Sequence, residues 1–245
     1  YVSITSPAEN EVISGIVTVE AIVRDTYRND SNVWYAINDG INNYTKDGAV
    51  GWSNLPYSTG DTFRDTLFDT NNFNDGDYKI YVKAIDKADN ENLSYVNVNI
   101  DNTPPSVIIN APSNNEVIYG TKKFDVTIQD AAGHDDSTTY RWWMDDGAQS
   151  GFDGNVGYVY YVNIDTTSYS EGNHVFHVTA KDTEGNENNT ESITVNIDNN
   201  APIVDITNPT EGSWVRQNIT LKATIYDEAG NGITSSPFNR NRQHY

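Results

Sequence analysis

The sequence predicts an all-β chain of tandem antiparallel β-sandwiches joined by short proline-containing linkers. Three observations carry that prediction. Apolar and polar residues alternate over short runs, and helical periodicity is nearly absent. The runs are parted by Gly, Asn and Asp turns, at about seven short strands per hundred residues, the density of a two-sheet sandwich. The chain also repeats itself: Pro7–Gly15 (PAENEVISG) returns as Pro112–Gly120 (PSNNEVIYG), with a looser copy from Pro209 (PTEGSWVRQ). Repeated units of about 100 residues more often set reach, stiffness or valency than chemistry.

Within each repeat the strands follow in order. The run after the proline motif puts Val17, Val19, Ala21 and Val23 on one face, matched by Lys122, Phe124, Val126 and Ile128 and then by Ile219, Leu221, Ala223 and Ile225. These runs, Ile16–Asp25, Thr121–Asp130 and Asn218–Asp227, each end in aspartate. An aromatic strand follows (Val33–Asn38; Tyr140–Asp145), then one closing on Asp-Thr (Phe63–Thr70; Tyr158–Thr166). A late strand turns Tyr78, Ile80, Val82 and Ala84 inward, as His174, Phe176, Val178 and Ala180 do in the second copy. The last strand contributes Val96, Val98 and Ile100, matched by Ile193, Val195 and Ile197. The units predicted are 1–103, 104–200 and a partial third at 201–245, with boundaries at Asp101–Pro105 and Asp198–Pro202. Proline removes a backbone donor and holds its predecessor extended, and links this short are not floppy tethers. Successive units are expected end to end with restricted swing.

The Trp-bearing third strand and the Asp75–Tyr78 segment fit an immunoglobulin-like sandwich, where a Trp fills the centre and a Tyr opening strand F bonds back at the corner. His174 stands in that Tyr's place in the second unit. On the opening Val2–Pro7 and Val204–Pro209, the Ala84–Asn90 turn (AIDKADN) and the Ile100–Pro105 link (IDNTPP), the chain resembles the bacterial and archaeal immunoglobulin-like repeat domains of cell-surface adhesins, S-layer-associated proteins and extracellular filaments. The resemblance covers nearly the whole chain. It implies architecture strongly and function weakly, since such modules serve as stalks, spacers, glycan binders and enzyme appendages.

Composition narrows the partners. A formal charge of −20 argues against nucleic acid and against anionic membranes. It also makes multivalent cations natural companions. The chain has no cysteine, so no disulfide braces it. Its apolar stretches are strand-length, so no membrane insertion is expected. The pattern opens at Tyr1 inside a strand without an initiator Met, which reads as a mature or excised portion of something longer.

Sandwich topology gathers acidic loops where units meet. The first junction collects Glu9, Glu11, Asp75, Asp101 and Asn102 against Asp130, Asp182, Glu184 and Asn186; the second collects Glu116, Glu171, Asp198 and Asn199 against Asp227, Glu228 and Asn231. Two readings are open: ordinary solvated Asx turns, or calcium, which takes six to eight oxygens in forgiving geometry. Neither EF-hand spacing nor a glycine-rich nonapeptide supports the metal, so its case rests on topology.

Asn29, Asn43, Asn92, Asn188 and Asn218 head Asn-x-Ser/Thr sequences and are candidate glycan acceptors, at a frequency chance alone would give. Trp142 and Trp143 are adjacent, so one faces the core and one the outside; Trp52 and Trp214 are expected to pack under loops rather than stack on sugars. The segment Asn38–Thr62, longer than its counterpart, is the favoured place for a binding surface. His174 and His177 point to opposite sheet faces and do not share a zinc. No nucleophile elbow, phosphate loop or ordered Ser/His/Asp set is present, so no enzymatic activity is expected.

Two strands of a third unit cannot bury a core. Either the chain continues beyond Tyr245, or the fragment lies across the second unit, or it adds strands to a neighbouring subunit. The function expected is an extracellular structural protein, part of a cell-surface layer, stalk or filament, with other copies or neighbouring surface proteins as partners. The alternatives are an adhesin segment binding a glycan or host surface, and a spacer of a secreted hydrolase.

Overall fold

The computed structural model of the protein describes residues 1–26, 32–130 and 139–227. The chain packs as two compact units: unit 1 holds Tyr1–Ser106 with Gln129–Tyr140 and Ala180–Asn189, and unit 2 holds Val107–Ile128, Arg141–Thr179 and Thr190–Tyr245. Two loop segments of the second sequence repeat therefore belong to the packing of unit 1.

Unit 1 is built from β1 (Val2–Ser6), β2 (Glu11–Ile13), β3 (Ile16–Val23), β4 (Val33–Asn38), β5 (Asn43–Tyr44), β6 (Ser53–Asn54), β7 (Tyr57–Thr59), β8 (Thr62–Asp69), β9 (Gly76–Ile85) and β10 (Glu91–Ile100). One sheet runs β1-β3-β8-β7 and the other β2-β10-β9-β4-β5, with β6 also on β4. All pairs are antiparallel except β2 on β10, where Glu11–Ile13 run parallel to Val98–Ile100. The core lies between the sheets: Val19, Ala21, Phe63 and Phe68 meet Tyr35, Ile37, Ile80, Val82, Val98 and Ile100. The alternating set read from the sequence is this inward set.

Unit 2 repeats the plan with β11 (Ser106–Ala111), β12 (Glu116–Ile118), β13 (Thr121–Gln129), β14 (Thr139–Met144), β15 (Gly154–Val156), β16 (Val159–Asp165), β17 (Gly172–Lys181) and β18 (Glu191–Ile197). Its sheets run β11-β13-β16-β15 and β12-β18-β17-β14. Phe124 and Phe176 meet across the core with ring centroids 4.4 Å apart.

The strand before each final hairpin ends in a short 3₁₀ turn, Thr70–Asn72 and Thr166–Ser168, capped by the Asp69 and Asp165 side chains. Aspartate suits a cap because its carboxylate accepts an otherwise unpaired N–H. Asn10 and Asn115, at matching places in the repeated motif, take left-handed φ of 61° and 64°. Asn tolerates that region better than most residues.

Two expectations are corrected. The centre of unit 1 is Tyr35, not Trp34: Tyr35 is fully buried and donates its hydroxyl to Asp65 Oδ2 at 3.0 Å. Trp34 has the opposite phase along the strand, as Val33, Tyr35 and Ile37 share the inward side. In unit 2 Trp142 takes the inward place and stacks on Phe176, while Trp143 stacks on His177. The corner bond, left open for unit 2 by the sequence, has a counterpart in both units. Tyr78 donates to the Asn74 carbonyl at 3.1 Å, and His174 Nε2 makes the equivalent bond to the Ser170 carbonyl at 2.8 Å. Finally, Trp214 packs under nothing and is fully exposed.

Of the third repeat, β19 (Ile203–Asn208) and β20 (Lys222–Tyr226) form a two-stranded antiparallel pair. The strand is shorter than the expected Asn218–Asp227 run, and Asn218 lies in a bend. Val204 and Ile206 are exposed on this pair, as is Leu221 just before it.

Candidate metal centre

The acidic loops yield one tight group among the described residues. Asp101, Asp130 and Asp182 each direct a carboxylate oxygen to a common point, these oxygens lying within 4.8 Å of one another. All three residues belong to unit 1. They are 0%, 6% and 3% exposed, so water does not screen them as it would a surface cluster.

Asp101 is placed by the strand that precedes it. Its N–H donates to the Ile13 carbonyl at 3.1 Å, continuing the β2–β10 ladder past the last residue of β10. Its Oδ1 accepts from the Thr103 N–H at 3.2 Å, but Oδ2 is buried with no hydrogen-bond partner. Burial, helped by the charges of Asp130, Asp182 and Asp75 and opposed by the Thr103 bond, pushes its pKa up to about 6.

Asp182 sits in a tight Asx turn. Its Oδ1 accepts from the Gly185 and Asn186 N–H groups, both at 2.7 Å, and its Oδ2 from Asn186 Nδ2 at 2.8 Å. Asn186 then joins the turn to Asp101. Its Nδ2 donates to the Asp101 carbonyl at 2.8 Å, and its Oδ1 accepts from Ser14 Oγ at 2.7 Å. The Gly185 and Asn186 donors thus hold the Asp182 carboxylate itself, and the Asn186 side chain ties that turn to the Asp101 backbone. Asp130 follows β13 directly, so its place is set by that strand's register.

The remaining candidates do other work. Glu11 Oε2 accepts from the Ala8 N–H at 2.5 Å and closes the turn before β2; Glu116 does the same for Ser113 at 2.8 Å and pairs with Lys122. Asp75 accepts from the Asn102 N–H at 2.7 Å and from the Thr103 hydroxyl. Asn102 locks the link to the 3₁₀ turn: Oδ1 accepts from Thr70 Oγ1 at 2.6 Å and Nδ2 donates to the Thr70 carbonyl at 3.0 Å. Asn199 repeats that lock on Thr166. The Asp198 N–H donates to the Ile118 carbonyl at 3.0 Å, the counterpart of Asp101 on Ile13. Asp227 follows β20 directly, and Asn231 lies outside the described residues. Of the glycan candidates, Asn92 and Asn218 are exposed, and Asn43 accepts from Asn38 Nδ2 at 2.9 Å. Asn188 accepts from the Ala180 N–H at 2.6 Å, and Asn29 lies outside the described residues.

The donor set is all oxygen, with no imidazole or thiolate, and it is strongly anionic. Such a set suits a hard divalent cation and not zinc or copper. Like charges at this spacing repel by on the order of 3 kcal/mol per pair at an effective dielectric of about 20. A divalent ion would reverse the sign of that term and supply the missing partner for Asp101 Oδ2.

Fold and site together define a tandem β-sandwich protein with an acidic, oxygen-only centre in its loops. The bacterial Ig-like domain (group 3) model matches residues 63–148 and 158–236, and the chain belongs to that family. No curated protein sequence matches the chain. Among solved structures it is similar to the Clostridium thermocellum CbhA fibronectin(III)-like modules, at 22% identity over 81% of this chain and 95% of that one, TM-score 0.40. It is similar at 18% identity, TM-score 0.43, to a Ca2+-stabilized adhesin with which an Antarctic bacterium binds ice. A tetra-tandem repeat in the extending region of a large adhesion protein is similar at 16% identity, TM-score 0.35. Each of these two alignments covers 86% of this chain and 52% of the adhesin. No helix among the described residues is long and apolar enough to cross a membrane.

Proposed function

We propose that the chain is a non-enzymatic, extracellular structural protein, part of a cell-surface layer, stalk or filament, stiffened by calcium. Asp101, Asp130 and Asp182 hold the ion. Asp101 ends the first sequence repeat, while Asp130 and Asp182 lie in loops of the second. An ion shared by the three therefore pins those loops to the proline-bearing link and resists bending there. The fasteners Asn102, Asn186 and Asp75 hold the link in place while the ion neutralises the carboxylates. The partners are other copies of the chain or neighbouring surface proteins.

One observation carries the reading: a fully buried Asp101 whose Oδ2 has no hydrogen-bond partner, aimed at two further buried carboxylates. A buried carboxylate left unpaired is costly unless it is protonated or met by a cation. Melting of the full chain in millimolar calcium and in chelator tests it. A ligand that binds only the folded state, at 100-fold over its Kd, adds about 3 kcal/mol. Calcium should raise the wild-type melting temperature and leave Asp101→Asn unmoved. Identical melting of the wild type in calcium and in chelator would end the proposal.

A further inference from the structure

A second site lies on the solvent-facing side of the β2-β10-β9-β4-β5 sheet of unit 1. A trough of about 640 Å³ runs there, lined by Asn38, Asp77, Lys79, Tyr81, Asn97 and Asn99 among others. That volume falls within the roughly 300–1,000 Å³ of small-molecule sites. The residues stand in cross-strand rows: Asn38 beside Lys79 beside Asn97, Tyr81 beside Tyr95, and Asp77 beside Asn99 beside Val12.

Three features set this face of unit 1 apart. First, the inward residues of the same strands are matched in the second repeat, Ile80 by Phe176 and Val98 by Val195; of the outward ones Asn99 is kept as Asn196, which likewise donates Nδ2 to Asn173 Oδ1 at 3.1 Å, while Asp77, Lys79, Tyr81 and Asn97 change. Lys79 becomes Val175, Asp77 becomes Asn173, and Tyr81 becomes His177, whose ring is covered by Trp143 at 5.0 Å. Second, the insertion that follows Asn38 adds β5 to the sheet, and its first residues, Asp39 and Gly40, form one wall of the trough. Third, the polar groups are held in position. Asn99 Nδ2 donates to Asp77 Oδ1 at 2.9 Å, Asn97 is held by Glu9, and Tyr81 and Tyr95 lie 5.3 Å apart with ring planes tilted by 47°.

We propose that this trough binds a neutral polysaccharide. Fixed carboxamides offer donors and acceptors in alternation, which matches the hydroxyls of a sugar chain. The Asn99 carbonyl oxygen and the Tyr81 hydroxyl have no protein partner among the described residues and serve that ligand. Tyr81 supplies an aromatic surface for the apolar face of a sugar ring, while the Tyr95 ring behind it carries the Lys79 ammonium 4.5 Å from its centroid. Lys79 offsets one of the two aspartates that line the trough, Asp39 and Asp77, on a chain of charge −20. The field of the whole chain repels anionic glycans.

Affinity electrophoresis of the full chain tests the proposal, in calcium, through gels holding galactomannan, xyloglucan, mixed-linkage β-glucan or dextran, with alginate as the anionic control. At least one neutral polymer should retard the wild type. Tyr81→Ala and Asn99→Ala should each weaken that retardation about tenfold, a loss of 1.4 kcal/mol. Tyr81→Phe should keep most of it, and His177→Ala, at the matching place in the other repeat, all of it. Melting curves confirm that each variant is folded, and Asn99→Ala stands as the independent test if Tyr81→Ala is not. Migration unchanged in all four neutral polymers, retardation by alginate alone, or retardation indifferent to both alanine variants would overturn the proposal.

Discussion

His174 spans two acceptors: its Nε2 lies 2.8 Å from the Ser170 carbonyl and its Nδ1 2.6 Å from Asp145 Oδ2. Ser170 Oγ also lies 3.3 Å from Nε2, so that nitrogen has a hydrogen-bond partner within reach in either tautomer of the ring. Burial works against the Asp145 charge, but the Val175 N–H and His174 outweigh it and hold that carboxyl below the usual carboxylate range. The second repeat has thus exchanged a phenol for an imidazole–carboxylate pair while keeping the same carbonyl tied.

Replacing His174 with Phe removes both bonds from a buried position. The expected cost is about 1–3 kcal/mol, since the partner groups lose their donors. His174→Tyr should recover the corner bond and cost less than Phe. Chemical denaturation of the three proteins checks the order.

The Tyr35–Asp65 pair makes a similar demand on unit 1. Lys46 Nζ approaches Asp65 Oδ2 at 3.4 Å from the rim, and the Tyr35 hydroxyl meets the same oxygen from within. Burial raises the phenol's pKa, as do the charge and the hydrogen bond of Asp65, so it remains a donor throughout the physiological range. Tyr35→Phe should destabilise unit 1 by about 1–3 kcal/mol, without altering calcium binding measured by titration calorimetry.

In chelator, Asp101 gives stability a distinct pH dependence. Its pKa of about 6 in the fold lies above the ordinary 3.8, so the folded state holds this proton more tightly than the unfolded chain does. By linkage, stability from this group falls as pH rises from about 4 through 6, by on the order of 3 kcal/mol. Calcium favours the ionised form, so its stabilising effect should be largest above pH 6 and fade on acidification. Melting temperatures at pH 5 and pH 7, each with calcium and with chelator, check the sign. Asp101→Asn should flatten the slope in chelator.

Asn102 makes a prediction that separates link from metal. Asn102→Ala breaks the lock on Thr70 and should cost about 1–3 kcal/mol in chelator. Asn199→Ala should do the same to unit 2 through Thr166. Calorimetry on Asn102→Ala should still show a calcium heat, because Asn102 is not among the three carboxylates.

Much of the fold is legible in the alternation. Val19, Ala21, Ile80, Val82, Val98 and Ile100 share one parity, and burying that parity sets the register of their strands. Trp34 misleads because the largest ring of its strand is out of phase: Val33, Tyr35 and Ile37 are in step and buried. Of the candidate site, Asp101, Asp130 and Asp182 could be read because each closes a strand matched in another repeat. Glu11, Asp75, Asn102 and Asn199 could not be told from them. Asp, Asn and Glu next to a turn satisfy backbone N–H groups as readily as they meet a cation, as Asp182 does in its Asx turn, and only the coordinates show which carboxylates converge. The sheet trough has no local sequence signal, because it is assembled from strands far apart in the chain.

A crystal structure of the full chain grown in calcium tests the three-carboxylate site most directly. An ion within about 2.3–2.6 Å of an oxygen from each of Asp101, Asp130 and Asp182 is the result expected. Well-ordered density for those three side chains with only water among them, at calcium concentrations that saturate ordinary extracellular sites, would contradict it.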